Sequence, residues 1–131
     1  MNTKLGKILA EISAGELIDK ITILEIKKIK INDTSKQKEV NKELSSLNNT
    51  LKEFIPDISL IEKQKNELKN INLRLWDIEN GKRKAEKLNN FGEDFIKLAR
   101  EVYKTNDLRA KTKLEINNIL GSNIVEVKSH D

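Results

Sequence analysis

The sequence predicts a mainly α, single-domain protein in which a long antiparallel, coiled-coil-like helical hairpin packs on an N-terminal and a C-terminal helix. Three observations predict it. Apolar residues recur three and four positions apart over most of the chain, the spacing that lines one face of a helix. Chain breakers are few, with one proline, Pro56, and five scattered glycines. Charged residues make up 35% and aromatics 4%, the balance of long helices that each carry one apolar stripe and wide solvated faces. A chain of 131 residues fits one domain, 1–131, and is long enough to bury roughly two-thirds of its unfolded surface.

The elements follow in order. Residues 7–12, KILAEI, and 124–128, IVEVK, alternate enough to pair as a small two-stranded β ribbon joining the termini. A short helix over 3–10 is the alternative. Ser13-Ala14-Gly15-Glu16 has the form of a capping box, with Ser13 placed to accept from a free backbone N–H and Glu16 to reach back. The first helix then runs to about Lys30. Ala14, Leu17, Ile18, Ile21 and Leu24 form one stripe, and Ile23, Ile26 and Ile29 extend apolar coverage almost all round, which makes this helix central. Glu25 sits about 40° from Ile21, on the apolar side, whereas Glu16, Asp19, Lys20 and Lys27 lie on the narrower polar face.

After a turn at 32–35, Thr34 with Gln37 offers a second capping signature. The next helix runs from about Ser35 to Phe54, with Val40, Leu44, Leu47, Leu51 and Phe54 at the spacing of a coiled-coil seam. Pro56 ends it. Asp57 or Ser59 starts a third helix in which Leu68, Ile71, Leu75 and Ile78 continue that rhythm towards Ala85. Two seams joined by a short loop predict the antiparallel hairpin over 35–88. Gly81 costs a helix about 1 kcal/mol against alanine, so a kink or an end is expected near it. Trp76 lies off the seam and is expected to pack against the first or last helix.

The last helix is predicted over 91–120, with Glu93 and Asp94 complementing its N-terminus and Gly121 as its C-cap. Its stripe of Phe91, Phe95, Leu98 and Val102 runs into Asn106, Arg109 and Lys113 before Ile116 and Leu120 resume it. Three readings are open. The helix breaks at Thr105-Asn106 and restarts on a stripe of Leu108, Thr112, Ile116 and Ile119. Alternatively it is continuous and Arg109 pairs with a buried carboxylate, for which Glu25 is the candidate; a buried charge without a partner costs several kcal/mol. In the third, Arg100, Tyr103, Asn106, Arg109 and Lys113 converge on a small anion, with Glu25 lining the pocket and Asp19 and Lys20 closing it.

Composition narrows the function classes. The absence of cysteine removes disulfides, thiolate nucleophiles and cysteine-ligated zinc. His130, the one histidine, lies in the tail, where a histidine base or metal ligand is not expected. There is no Gly-rich phosphate loop and no H-E-x-x-H or EF-hand pattern, so no metal and no cofactor are expected, and the balance leans against catalysis without deciding it. The net charge is +4 with a pI of about 9.2, but acids are interspersed with the lysines and no basic stripe forms, which speaks against nucleic acid. Neither a signal peptide nor a run of about 20 apolar residues is present, which leads to the expectation of a cytoplasmic protein with no membrane insertion. The expected partner is a protein or a second copy of the chain; the rival is a small-anion or nucleotide-sugar binding protein or enzyme with a polar site on the 91–120 helix.

Four blocks carry a resemblance: ISAGELIDKITILEIK at 12–27, LWDIE at 75–79, FIKLAREVYKTNDLRAKTKLEINNILGS at 95–122 and EVKS at 126–129. Together they resemble a small uncharacterised family, a domain of unknown function, of bacteria and their phages. Its members sometimes occur beside or fused to tetratricopeptide-repeat or glycosyltransferase-like proteins. The resemblance is weakest over 32–66, and the sequence departs from it at Glu11, where the family has proline, and at Gly92, where it has an acid. It implies an accessory role in glycan or cell-surface metabolism and carries over no catalytic residue.

Overall fold

A computed structural model of the chain describes residues 4–130. Four α-helices fill it: α1 (Ala14–Lys30), α2 (Thr34–Phe54), α3 (Glu62–Lys87) and α4 (Glu93–Leu120), with one 3-10 turn, Ile58–Ile61, leading into α3. The mainly α class is therefore the observed one.

Each boundary has a local cause. Ser13 is the N-cap of α1, its Oγ accepting from the Glu16 N–H at 3.1 Å. Asp33, not Thr34, caps α2 by accepting from the Lys36 N–H at 3.0 Å. Gln37 turns back instead to donate to the Lys28 carbonyl at 2.9 Å, so it satisfies the free C-terminal end of α1. Asp57 starts the 3-10 turn through the Ser59 N–H at 3.1 Å. Gly121, at φ 62°, ends α4 in the left-handed conformation that favours glycine.

Helix α1 is the hub, as its all-round apolar wrapping predicts. Leu17, Ile21 and Leu24 meet Val40 and Leu44 of α2, with Leu47, Leu51 and Ile55 packed alongside. On the other side Ile18 joins Ile61, Leu68 of α3 and Ile116 of α4. Helices α3 and α4 run antiparallel across the turn at 88–92 and pack along their lengths, while α2 approaches α1 only.

Four expectations are corrected here. Helices α2 and α3 do succeed one another across Pro56, but no Cα of one comes within 8 Å of the other, so the backbone pairs are α1 with α2 and α3 with α4. Heptad spacing shows that a helix has a seam, not which neighbour fills it, and α1 offers α2 a broader apolar face than α3 does; Phe54, read into that seam, is exposed. The β ribbon is absent among the described residues. Both 4–12 and 122–130 are irregular, and Leu5, Ile8 and Leu9 face solvent, leaving no buried face to set a strand register. Residues 4–10 are not helical either, and Thr3, the first residue of that alternative, lies outside the described residues. Finally, α3 runs unbroken through Gly81, its packing along α4 outweighing the low helix propensity of glycine; a Cβ there would stand 3.2 Å from Leu98 Cδ1, so the glycine lets α4 approach. Trp76 is half-buried.

Candidate functional site

Helix α4 is continuous from Glu93 to Leu120, so the reading with a break at Thr105-Asn106 is excluded. Its buried polar positions are Thr105, Thr112 and Asn117, about one residue off the predicted line of Asn106, Arg109 and Lys113, all three of which are half-buried. Thr112 satisfies itself by donating to the Leu108 carbonyl at 3.0 Å, which lets a hydroxyl occupy the packed face.

Arg109 does pair with a buried carboxylate, and it is Asp19 rather than Glu25. Asp19 is 0% exposed, and Arg109 grips it with two donors, Nε to Oδ1 at 2.9 Å and Nη2 to Oδ2. Asn72 of α3 adds its amide, donating to Asp19 Oδ1 at 2.9 Å and to Thr22 Oγ1 at 3.0 Å, while the Thr22 hydroxyl donates to the Asp19 carbonyl at 2.8 Å. One carboxylate thereby ties α1, α3 and α4. Arg–carboxylate pairing through two parallel bonds fixes geometry as well as energy, so the cluster sets the helix register. Glu25 does not join this arrangement; its oxygens stand 3.7 Å from Lys69 Nζ and 4.0 Å from Lys65 Nζ of α3.

Lys113 extends the cluster towards the start of α1. Its ammonium donates to Glu16 at 2.6 Å and to Glu126 at 3.3 Å, and lies 4.0 Å from Asp19 Oδ2. Glu126 also accepts from Ser13 Oγ at 3.2 Å. The backbone at this end is capped from the C-terminal side. Ala14 N–H donates to Ser122 Oγ at 3.0 Å and Gly15 N–H to Asn117 Oδ1 at 2.6 Å. Gly15 is required for that approach, since a Cβ there would overlap the Lys113 carbonyl and stand 3.0 Å from Asn117 Oδ1.

The electrostatics follow from these contacts. Hydrogen bonding to Asp19 raises the Arg109 pKa above its ordinary value, against the opposing effect of burial. Burial also disfavours the Lys113 ammonium, but its bonds to Glu16 and Glu126 and the charge of Asp19 outweigh this and raise its pKa. Burial likewise works against the Glu126 carboxylate, and Lys113 and Ser13 overcome it, holding the pKa below the ordinary value. Three carboxylates thus surround two cations, with Lys20 3.5 Å from Glu16 on the outside.

Of the predicted site residues, the structure brings together Asp19, Arg109 and Lys113, with Lys20 at the edge and Asn106 beside them on a cleft. That cleft, about 620 Å³, lies between α4 and residues 126–130 and is lined by Asn106, Arg109 and Lys113 among others. Arg100 and Tyr103 are exposed and do not line it, and Glu25 is elsewhere. Among the described residues no group of acids and histidine is arranged to hold a metal ion, and no helix is long and apolar enough to cross a membrane.

A family model described as a family of unknown function, DUF6165, matches residues 8–131. The chain belongs to that family. No curated protein and no solved structure matches the sequence. The DUF6165 match takes in all four helices, every member of the cluster and the tail that caps it. Sequence reasoning in this DUF6165 chain did not identify Asn72, Thr22, Asn117, Ser122 or Glu126. Only Asn72 had a usable signal, an amide between Ile71 and Leu75 on the face that α3 turns inward.

Proposed function

We propose that this protein is a non-catalytic interaction module that docks a protein partner, or a second copy of itself, through the end where its two terminal segments meet. One observation carries the reading. Leu5, Ile8 and Leu9 are 82%, 81% and 87% exposed, on irregular chain that no backbone–backbone hydrogen bond ties to the helices over 4–12. Val127 of the tail is 91% exposed, and Asn123 Nδ2 donates to Glu11 at 2.6 Å, which places the two segments side by side. Exposed apolar side chains on backbone without hydrogen-bond partners offer a partner both hydrophobic area and free backbone groups to pair with. The polar cluster supports the same reading, because its cations are spent on its own acids. The resemblance to proteins found beside glycosyltransferase-like neighbours makes cytoplasmic components of glycan or cell-surface metabolism the partners to try first.

Sedimentation velocity over a range of concentrations, with pull-downs from a bacterial extract, tests this. Concentration-dependent association or a retained partner is expected, lost in the triple variant Leu5→Glu, Ile8→Glu, Leu9→Glu. A strict monomer that retains nothing overturns it.

One observation favours the rival, a small-anion or nucleotide-sugar site. The Arg109 side chain is 30% exposed and its outer edge, with Asn106, lines the cleft. Thermal-shift measurements with inorganic phosphate and nucleotide sugars distinguish the two, since only this reading expects stabilisation that Arg109→Ala removes.

A further inference from the structure

We propose that residues 122–130 are a releasable strap, latched by the Glu126 carboxylate across the cleft over Arg109 and Lys113, and that detaching the strap opens that cleft without unfolding the helices.

The directional contacts that hold the strap are polar. Ser122 bonds Ala14 N–H, Asn123 donates to Glu11, Glu126 accepts from Ser13 and Lys113, and Lys128 Nζ lies 2.9 Å from Asp107. Its apolar side chains are covered only in part, with Ile124 and Val125 36% and 45% exposed and Val127 91% exposed, and none is buried in the core. After the Ser122 N–H, which donates to Asn117 at 2.9 Å, no backbone–backbone hydrogen bond ties 123–128 to the helices. The strap also bridges the cleft instead of filling it. Gly121 supplies a hinge, at positive φ with open space around it.

Glu126 is the latch because its partner is the most enclosed. The Lys113 side chain is 13% exposed and Glu126 50%, whereas Lys128 and Asp107 are 37% and 62% exposed, and the more solvated a pair, the less it contributes. The charged groups facing Glu126 are Lys113 and Arg109 of α4 and Glu16 of α1, with Asp19 behind them; Ser13 is neutral. Losing Glu126 leaves Lys113 with Glu16 and Asp19, so the interhelical cluster keeps its pairing. The sign of the pH dependence follows from the depressed Glu126 pKa. The latch is in force above the ordinary carboxylate value and weakens as pH falls through the lower folded-state value. Salt weakens it as well. The inference does not depend on the module reading, and its test needs no partner.

The test is backbone ¹⁵N relaxation on the full chain at neutral pH and low salt. In the wild type, order parameters over 123–128 are expected close to the roughly 0.85 of rigid backbone, falling below about 0.6 in Glu126→Ala. Helix order parameters should not change, and Lys128→Ala should leave the strap ordered. About 1 M sodium chloride, where the Debye length is about 3 Å, should reproduce the Glu126→Ala result in the wild type. A strap equally ordered in Glu126→Ala overturns the proposal, as does one already mobile in the wild type. Loss of helix order in Glu126→Ala overturns it too, because the tail would then be integral to the fold.

Discussion

Replacing Arg109 by alanine removes both donors that grip Asp19 and leaves a fully buried carboxylate with the Asn72 amide on one oxygen and the Lys113 ammonium 4.0 Å from the other. Breaking a buried ion pair by deleting one partner costs about 3–5 kcal/mol. Two features place this case at the lower end. The Arg109 side chain is 30% exposed, so water follows into the space it leaves, and Lys113 still partly neutralises the acid. A loss of about 3 kcal/mol is therefore expected, a large share of the roughly 5–15 kcal/mol that holds a domain folded. It should lower the melting temperature by about 10 °C for a chain of this size. Circular dichroism melts and urea titrations measure both. The diagnostic is the cycle with Asp19→Asn. Removing the orphaned charge in the Arg109→Ala background should recover part of the loss, with a coupling of roughly 1–3 kcal/mol. An Arg109→Ala protein that melts within about 2 °C of wild type and shows no coupling refutes the claim that this pair locks α4 on α1.

Three further outcomes are expected. Gly15→Ala forces a methyl against the Lys113 carbonyl and should cost about 1–3 kcal/mol by urea unfolding, since backbone on both sides has to shift. Asn117→Ala leaves the Gly15 N–H without its 2.6 Å acceptor at the first turn of α1; a loss of about 1–2 kcal/mol is expected by calorimetry. Ile18→Ala opens a cavity where α1, α3, α4 and the 3-10 turn converge, and should cost roughly 2–5 kcal/mol without altering far-UV circular dichroism at low temperature.

Helix content and the extent of α4 were legible in the sequence, because periodicity and caps such as Ser13 and Gly121 are local. The anomaly in the α4 stripe also pointed to Arg109, which pairs with a buried carboxylate. Its partner was not legible. Asp19 sits among Glu16, Lys20 and Lys27 on the polar side of α1, and nothing local marks it as enclosed; it is buried because Asn72 and Arg109 reach it from 53 and 90 residues away. Glu25 was the better candidate by helical angle and finds Lys65 and Lys69 instead. Thr105 and Thr112 read as polar, yet a helical threonine can return its hydroxyl to its own backbone and pack its methyl. That moved the buried face of α4 by about one position from the predicted line. The tail is a comparable case. IVEVK alternates as a strand does, but Glu126 finds Lys113 and Ser13 before any strand partner is available.

The Asp19 cluster ties α1, α3 and α4 and leaves α2 out. The backbone of helix α2 approaches only α1; α2 is held by its apolar seam, by Leu51 against the second core cluster and by the Gln37 cap, and contributes nothing to the shared carboxylate. The order in which the molecule comes apart follows from this. The three tied helices form one cooperative unit, because parting α1 from α4 strands the buried Asp19 charge and removing α3 takes away the Asn72 amide that bonds it, whereas α2 can peel from Leu17, Ile21 and Leu24 at the cost of apolar contact and the Gln37 bonds. The protein therefore carries a stable three-helix frame and a fourth helix that opens below the global unfolding free energy, uncovering the apolar side of α1.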